Sequence, residues 1–264
     1  MPNAIDRSGG AEFEDADVVA AYVHRPPYPD ALIARLLALV PAPGAGTATV
    51  VDLGCGPGKL ARALAPDVGE VIAVDPSAAM LALARRLGAH DRNVGWIHSR
   101  AEDLELADVS LGLAVAGAAI HWIDPARLFP RLARWLKPGA SMAIVEGDAP
   151  TAAPWIEPWQ GAIRAWVERL GGVWDGPNHQ AMVKAHEPWL AVRGRETFTA
   201  TVRQPIEDLL ACQHSRATWA RRRMGPQAEA FDAELRAILT PWATDGAVTY
   251  EMETQLVWGS PLQP

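Results

Sequence analysis

The segment Asp52-Leu53-Gly54-Cys55-Gly56-Pro57-Gly58 holds the densest chemistry in this 264-residue chain. A short apolar run enters it, and a helical pattern beginning at Lys59 leaves it. Alternate glycines remove Cβ atoms where backbone must approach a ligand, and they permit positive φ. The helix beyond offers free N–H donors to a carboxylate or phosphate. Three chemistries compete for such a loop. A phosphate-binding P-loop fails, because Gly58-Lys59 is followed by Leu60 and position 53 is not glycine. A dinucleotide fingerprint in its permissive form fits Gly56-Pro57-Gly58-Lys59-Leu60-Ala61, with Asp75 at a suitable distance. The third is an acid two residues before three alternate glycines, Asp52 before Gly54, Gly56 and Gly58. A tight structural turn would need no ligand at all.

Asp75 ends a second apolar run. A carboxylate there can accept both hydroxyls of a ribose, or it can cap the helix opened by Pro76-Ser77. His121 follows a fourth apolar run, at the edge where doubly wound sheets bind ligands. It is a candidate general base or substrate contact, or else a loop histidine that orders the turn before Asp124. Glu146 and Asp148 end a fifth run and are candidate substrate contacts or loop caps. No dense carboxylate or His/Cys cluster accompanies these residues, so no metal is expected. The two cysteines, Cys55 and Cys212, provide neither a disulfide framework nor a structural zinc site, and they point to a reducing compartment.

The elements that position these residues follow a regular alternation. Asp30 to Val40 reads as a helix stopped by Pro41-Ala42-Pro43-Gly44. Strands are expected at Thr49–Leu53, Glu70–Val74, Val94–His98, Leu111–Ala116 and Ser141–Val145. Helices are expected at Lys59–Leu64, Ser77–Leu87 and Asp124–Leu136. This spacing means a parallel sheet with helices on both faces. After Pro150 the texture changes: eight of the 11 Trp lie between residues 151 and 264. Trp155, Trp159 and Trp166 share one helix face, either packing onto the core or lining an apolar pocket. The last strand alternates Val248, Tyr250, Met252, Thr254 and Leu256 with Thr249, Glu251, Glu253 and Gln255. One solvated face suggests an antiparallel edge region.

The formal charge is −7, and 21% of the residues are charged. So acidic a chain is poorly suited to tracking nucleic acid, and Arg221-Arg222-Arg223 reads as a solvated helix end. The most apolar run, Leu111 to Ile123, has 13 residues and two glycines, too short to span a bilayer. The first twenty residues show no basic segment followed by an apolar one. A soluble, cytoplasmic protein with no membrane or nucleic-acid partner is expected, as a monomer or homodimer.

Four pieces in order give a resemblance. They are the Asp52–Gly58 loop, Val74-Asp75-Pro76-Ser77 with Met80-Leu81, Ala101-Glu102-Asp103-Leu104, and Leu136-Lys137-Pro138-Gly139. With them, residues 20–148 resemble the class I S-adenosylmethionine-dependent methyltransferases. Tyr22 to Pro29 and the His121-Trp122 pair resemble the small-molecule branch containing trans-aconitate and ubiquinone-type enzymes. The resemblance implies a Rossmann-like, doubly wound α/β fold. Its mostly parallel, seven-stranded sheet would have an antiparallel last strand, and a helical, Trp-rich insertion would follow strand five. It implies three parts: 1–40 covering the cofactor, 41–150 binding S-adenosylmethionine, and 151–264 binding substrate and completing the sheet. Gly54, Gly56 and Gly58, preceded by Asp52, would line the methionine moiety. Asp75 would take the ribose, with Pro76 and Met80 beside it. Ala101 and Glu102 would face adenine, Arg100 standing where many relatives place an acid. Ala116 would close the site from the fourth strand. Arg25, with Tyr22, would meet the methionine carboxylate. His121, Trp122, Glu146 and Trp155 would meet the acceptor, with His121 the candidate catalytic residue.

The implied reaction is methyl transfer to a small molecule, on oxygen before nitrogen or carbon, leaving S-adenosylhomocysteine. The glycine pattern keeps an NAD(P)-dependent reductase as an alternative. A non-catalytic cofactor-binding partner protein is another.

Overall fold

The computed structural model describes residues 11–42, 44–172 and 186–262. The first ten residues of the expected 1–40 segment and residues 173–185 of the expected insertion lie outside the described residues.

Five parallel strands form the sheet's main body: β1 (Thr49–Leu53), β2 (Glu70–Asp75), β3 (Val94–His98), β4 (Leu111–Gly117) and β5 (Leu136–Glu146). They are followed by β6 (Pro150–Ala152), β7 (Leu190–Pro205) and β8 (Ala247–Pro261), giving the order β3-β2-β1-β4-β5-β8, with β6 and β7 also paired to β8. β8 runs antiparallel to β5, β6 and β7. The doubly wound sheet with an antiparallel last strand is therefore observed. The long strands number seven, and the three-residue β6 is an added ribbon.

Neighbouring residues of each central strand serve opposite cores. Val50, Leu113 and Val115 pack with Leu32 and Leu36 of α2 (Asp30–Ala38), Leu60 and Leu64 of α3 (Lys59–Leu64), and Leu81 of α4 (Ala78–Leu87). Val51, Ala114 and Ala116 pack with Leu128, Phe129, Leu132 and Trp135 of α5 (Pro125–Trp135). Both faces are covered, which is why these strands are continuously apolar rather than alternating. Two helices start where their sequence says. The Ser77 hydroxyl accepts from Met80 N at 3.0 Å to cap α4, and the Asp124 carboxylate accepts from Ala126 N at 3.0 Å to cap α5.

A short helix α1 (Ala16–Ala21) precedes this body. After β5 come α6 (Ile156–Arg169), α7 (Ile206–His214), α8 (Arg221–Met224) and α9 (Gln227–Leu239). Trp155, Trp159 and Trp166 are buried in a third core with Leu209, Phe231 and Leu235. The Trp stripe thus packs helices together.

The expected edge position of β8 needs correction. Its alternation is observed, with Val248, Tyr250, Met252, Thr254 and Leu256 buried. Yet β8 is flanked by β5 and β7, and β7 is the outer strand. A strand solvated on one face can sit inside a sheet, because face exposure and edge position are independent.

Candidate functional site

The strand order reverses between β1 and β4, and a cavity of about 380 Å³ opens there at the C-terminal ends of the strands. That is the expected place and size for a small-molecule site in such a sheet.

The glycine loop forms its floor. Gly54, Gly56 and Gly58 all have positive φ, but their surroundings differ. A Cβ on Gly54 would meet Ala119 Cβ at 2.6 Å, and one on Gly58 would overlap the Trp96 ring. A Cβ on Gly56 would meet nothing within 4 Å. Gly54 and Gly56 line the cavity, whereas Gly58 is used for packing against β3.

Asp52 lines the cavity and is 1% exposed. Gly58 has no side chain to cap α3, and Asp52 Oδ2 accepts from Ala61 N at 3.0 Å in its place. Burial pushes its carboxyl up to about 7, the Ala61 bond opposes this, and nearby Asp75 adds to the rise. Asp75 Oδ2 accepts from Gly56 N at 2.7 Å, and Oδ1 from Ser77 N at 2.8 Å. Burial raises its carboxyl, and these two bonds oppose the rise. Each oxygen keeps a lone pair for a ligand hydroxyl.

Glu102 is buried, and its Oε1 accepts from Asp124 N at 3.0 Å and from Arg100 at 3.2 Å. Arg100, Ala101, Glu102, Trp122 and Ile123 line the same wall. Phe13 packs edge-on against both Tyr22 and Trp122. The segment carrying it is fastened to α4: Ser77 Oγ donates to Phe13 O at 2.7 Å, and Glu14 accepts from Ala78 N at 2.8 Å.

The opposite wall is a strap, residues 22–28. Arg25 lies over the Tyr22 ring at 4.0 Å. Its Nη1 donates to Asp148 at 2.9 Å, and its Nε to Ser215 Oγ at 2.7 Å. Asp148 also accepts from Arg216 at 2.9 Å. Burial alone would raise the Asp148 carboxyl, but Arg216, Arg25 and Lys59 outweigh it and hold it at about 2. Lys59 Nζ donates to the backbone carbonyls of Arg25 and Pro26. Burial lowers its ammonium to about 8, partly opposed by Asp148. Tyr28 places its hydroxyl against Gly117, and burial raises its pKa. Ala118, just past β4, has φ 50° in the left-handed region although it is not glycine.

The cavity thus brings together Tyr22, Arg25, Asp52, Gly54, Gly56, Asp75, Pro76, Met80, Ala101, Glu102 and Trp122. Gly58, Ala116, His121, Glu146 and Trp155 are not among its lining residues. Ala116 is wholly buried beneath α5. Trp155 packs edge-on against Trp159 and Tyr250. His121 Nδ1 lies 3.7 Å from Glu146 Oε1, and its ring leans on Trp122. Sequence reasoning missed Phe13, Glu14, Tyr28, Lys59, Gly147 and Met252 on the wall, and it saw Asp148 only as a strand-end acid. The one available signal was Lys59 at the mouth of the glycine loop.

Among the described residues no group of three or more His, Cys, Asp or Glu side chains could hold a metal ion. No helix among them is long and apolar enough to cross a membrane.

The methyltransferase-domain family model matches residues 51–144, from β1 to β5. A trans-aconitate 2-methyltransferase of Variovorax paradoxus is 39% identical over 159 residues, covering 53% of this chain and 59% of that protein. An uncharacterised methyltransferase of Mycobacterium tuberculosis is 32% identical over 161 residues, covering 59% of this chain and 76% of that protein. The matched stretch spans about half the length of other mycobacterial relatives. A solved structure from Anaeromyxobacter dehalogenans, proposed to be a type II methyltransferase, superposes with a TM-score of 0.70 at 26% identity, over 90% of this chain and 99% of that one.

Proposed function

Because the chain belongs to the class I S-adenosylmethionine-dependent methyltransferases, we propose that it moves a methyl group from S-adenosylmethionine to an oxygen of a small-molecule acceptor. One observation carries this reading. A single cavity joins the glycine loop and Asp75 to a wall of Arg25, Tyr28 and Asp148. Its volume of about 380 Å³ is in the range of small-molecule sites, which supports a small acceptor. The preference for oxygen rests on the likeness to trans-aconitate 2-methyltransferase, whose name gives a carboxylate as acceptor.

The residues fit the cofactor. Gly56 leaves open space above its backbone, and Asp75 presents both oxygens on the same wall. Of the described residues, 41–42 and 44–150 would bind the cofactor, 11–40 would cover it, and 151–172 with 186–262 would shape the acceptor side. S-adenosylmethionine supplies an activated methyl group. Asp75 orients the ribose, Ala101 and Glu102 the adenine, and Tyr22 and Arg25 the amino-acid end. The strap and Phe13 line the cavity around the loop, and in-line placement there is the contribution this wall would make to the rate. A carboxylate acceptor needs no base. A hydroxyl acceptor needs one, and the candidate is His121, which lies beside Glu146 next to Trp122 of the wall but outside the lining itself.

Titration calorimetry with S-adenosylmethionine, S-adenosylhomocysteine, NADH and NADPH tests the reading, followed by mass spectrometry over small acids, phenols and amines. Binding of the sulfur ligands alone, with a methyl ester or ether product, is expected. Preferential nicotinamide binding, or a methylated amine as the sole product, would overturn it.

A further inference from the structure

Four separate parts of the chain grip the strap. Gln204 donates to His24 O at 2.7 Å, and His24 Nδ1 lies 3.0 Å from Asp208. Asp148 and Ser215 hold the Arg25 side chain. The fourth grip is Lys59, and among the described residues it alone among these comes from the cofactor side of the cavity.

Lys59 is the first residue of α3, directly after Gly56-Pro57-Gly58. Any ligand seated on that loop presses on the turn that carries its side chain. Its ammonium donates to two consecutive carbonyls, Arg25 O and Pro26 O. Those carbonyls are hard to displace singly, because Pro26 and Pro27 fix φ on the far side of Arg25. Bonds from a charged donor are the strong ones. The grip therefore ties the backbone of Arg25, and with it the ring of Tyr22 beneath its guanidinium, to the position of the glycine loop.

Resting on the reading of the cavity as a methyltransferase site, we propose that Lys59 is a positioning residue: it bolts the strap to the glycine loop, so that seating the cofactor and closing the wall over it are one coupled event. Lys59 touches neither the methyl group nor the acceptor in this role. It acts through Arg25 and Tyr22.

The test is hydrogen exchange on the full chain with and without saturating S-adenosylhomocysteine, read at the strap amides of Tyr22, Val23, His24 and Arg25. In the wild type the ligand is expected to slow strap exchange at least 10-fold. In Lys59→Met the ligand should still protect residues 54–58, with affinity weakened at least 10-fold, but the strap should no longer respond. Lys59→Arg keeps the charge and should restore the response. If Lys59→Met does not fold, Lys59→Ala, which also removes the donor, carries the same comparison. A wild-type strap indifferent to ligand, or a Lys59→Met strap slowed as much as the wild type, overturns the proposal. Wild-type protein that binds no S-adenosylhomocysteine overturns the methyltransferase reading instead.

Discussion

Asp52, at the end of β1, accepts a hydrogen bond at 3.0 Å from the backbone N–H of Ala61 in the first turn of α3. A strand-end acid thereby caps the helix whose own N-cap position is a glycine. The carboxylate is buried for this purpose, and burial pushes it up to about 7.

That position has a pH consequence. The folded value lies above the unfolded value of about 3.9, so the folded chain holds a proton that the unfolded chain has lost. The stability this contributes is full below about pH 3.9 and is lost as pH rises through about 7. Asp52→Asn keeps an oxygen for Ala61 N and removes the titration. Relative to wild type, it should gain up to about 1.4 kcal/mol per pH unit between about 4 and 7, then level off. Urea unfolding across this range checks it; parallel curves would contradict the assignment.

Asp75→Ala should weaken cofactor binding roughly 10- to 150-fold, the worth of about 1.5–3 kcal/mol for hydrogen bonds to a charged group. The geometry adds a second effect. The variant also abandons Gly56 N and Ser77 N, so it should lose thermal stability as well. Calorimetry and a melting curve separate the two, and an unchanged dissociation constant in folded protein rules out the ribose role.

The glycines should divide by function. Gly56→Val should abolish S-adenosylmethionine binding, because its side chain would enter open ligand space, and its cost in stability should come from the left-handed backbone alone. Gly58→Ala should leave the ligand space open and cost stability, on the order of 1–3 kcal/mol, because the Trp96 clash adds to the left-handed backbone that both positions share. Equal loss of binding at equal stability in both variants would contradict this division.

Asp148→Asn leaves two arginines without their shared anion. It should destabilise the fold at neutral pH by about 2–3 kcal/mol, below the range for fully buried pairs because Asp148 is one-quarter exposed. The folded value of about 2 lies below the unfolded one, so the contribution is present above about pH 3.9 and lost as pH falls through about 2. The gap between variant and wild type should therefore narrow in acid. A constant gap would show that packing, not charge, holds the site.

His121→Ala, assayed on an identified acceptor, should leave S-adenosylhomocysteine affinity unchanged and raise the acceptor KM more than it lowers kcat. Loss of kcat by roughly 100-fold or more would instead assign His121 as a general base.

The sheet was legible because its signal is local. The apolar runs of β1 to β4, the Ser77 and Asp124 caps and the loop glycines are each encoded within a few residues. The glycines' separate duties were not legible, since Gly58 is specified by Trp96 on another strand. The strap contacts were equally hidden. Lys59 reaches back to Arg25 and Pro26, and Arg25 reaches forward to Asp148 and Ser215. No periodicity or spacing records such pairings. The Trp stripe misled in one respect, as Trp155 satisfies a helical pattern whether its neighbours are a ligand or Tyr250.

β8 joins β5, β6 and β7, all of which precede it in the chain. On the ribosome those three strands are made first: β5 can pair with β4 on one side only, and β6 and β7 wait for β8. Until β8 emerges, the nascent protein carries the open flank of β5 and a 16-residue ribbon, β7, without its partner. This half of the sheet therefore closes only after β8 has been made, and the interval before it closes is when the growing chain is most exposed to self-association and most dependent on chaperones.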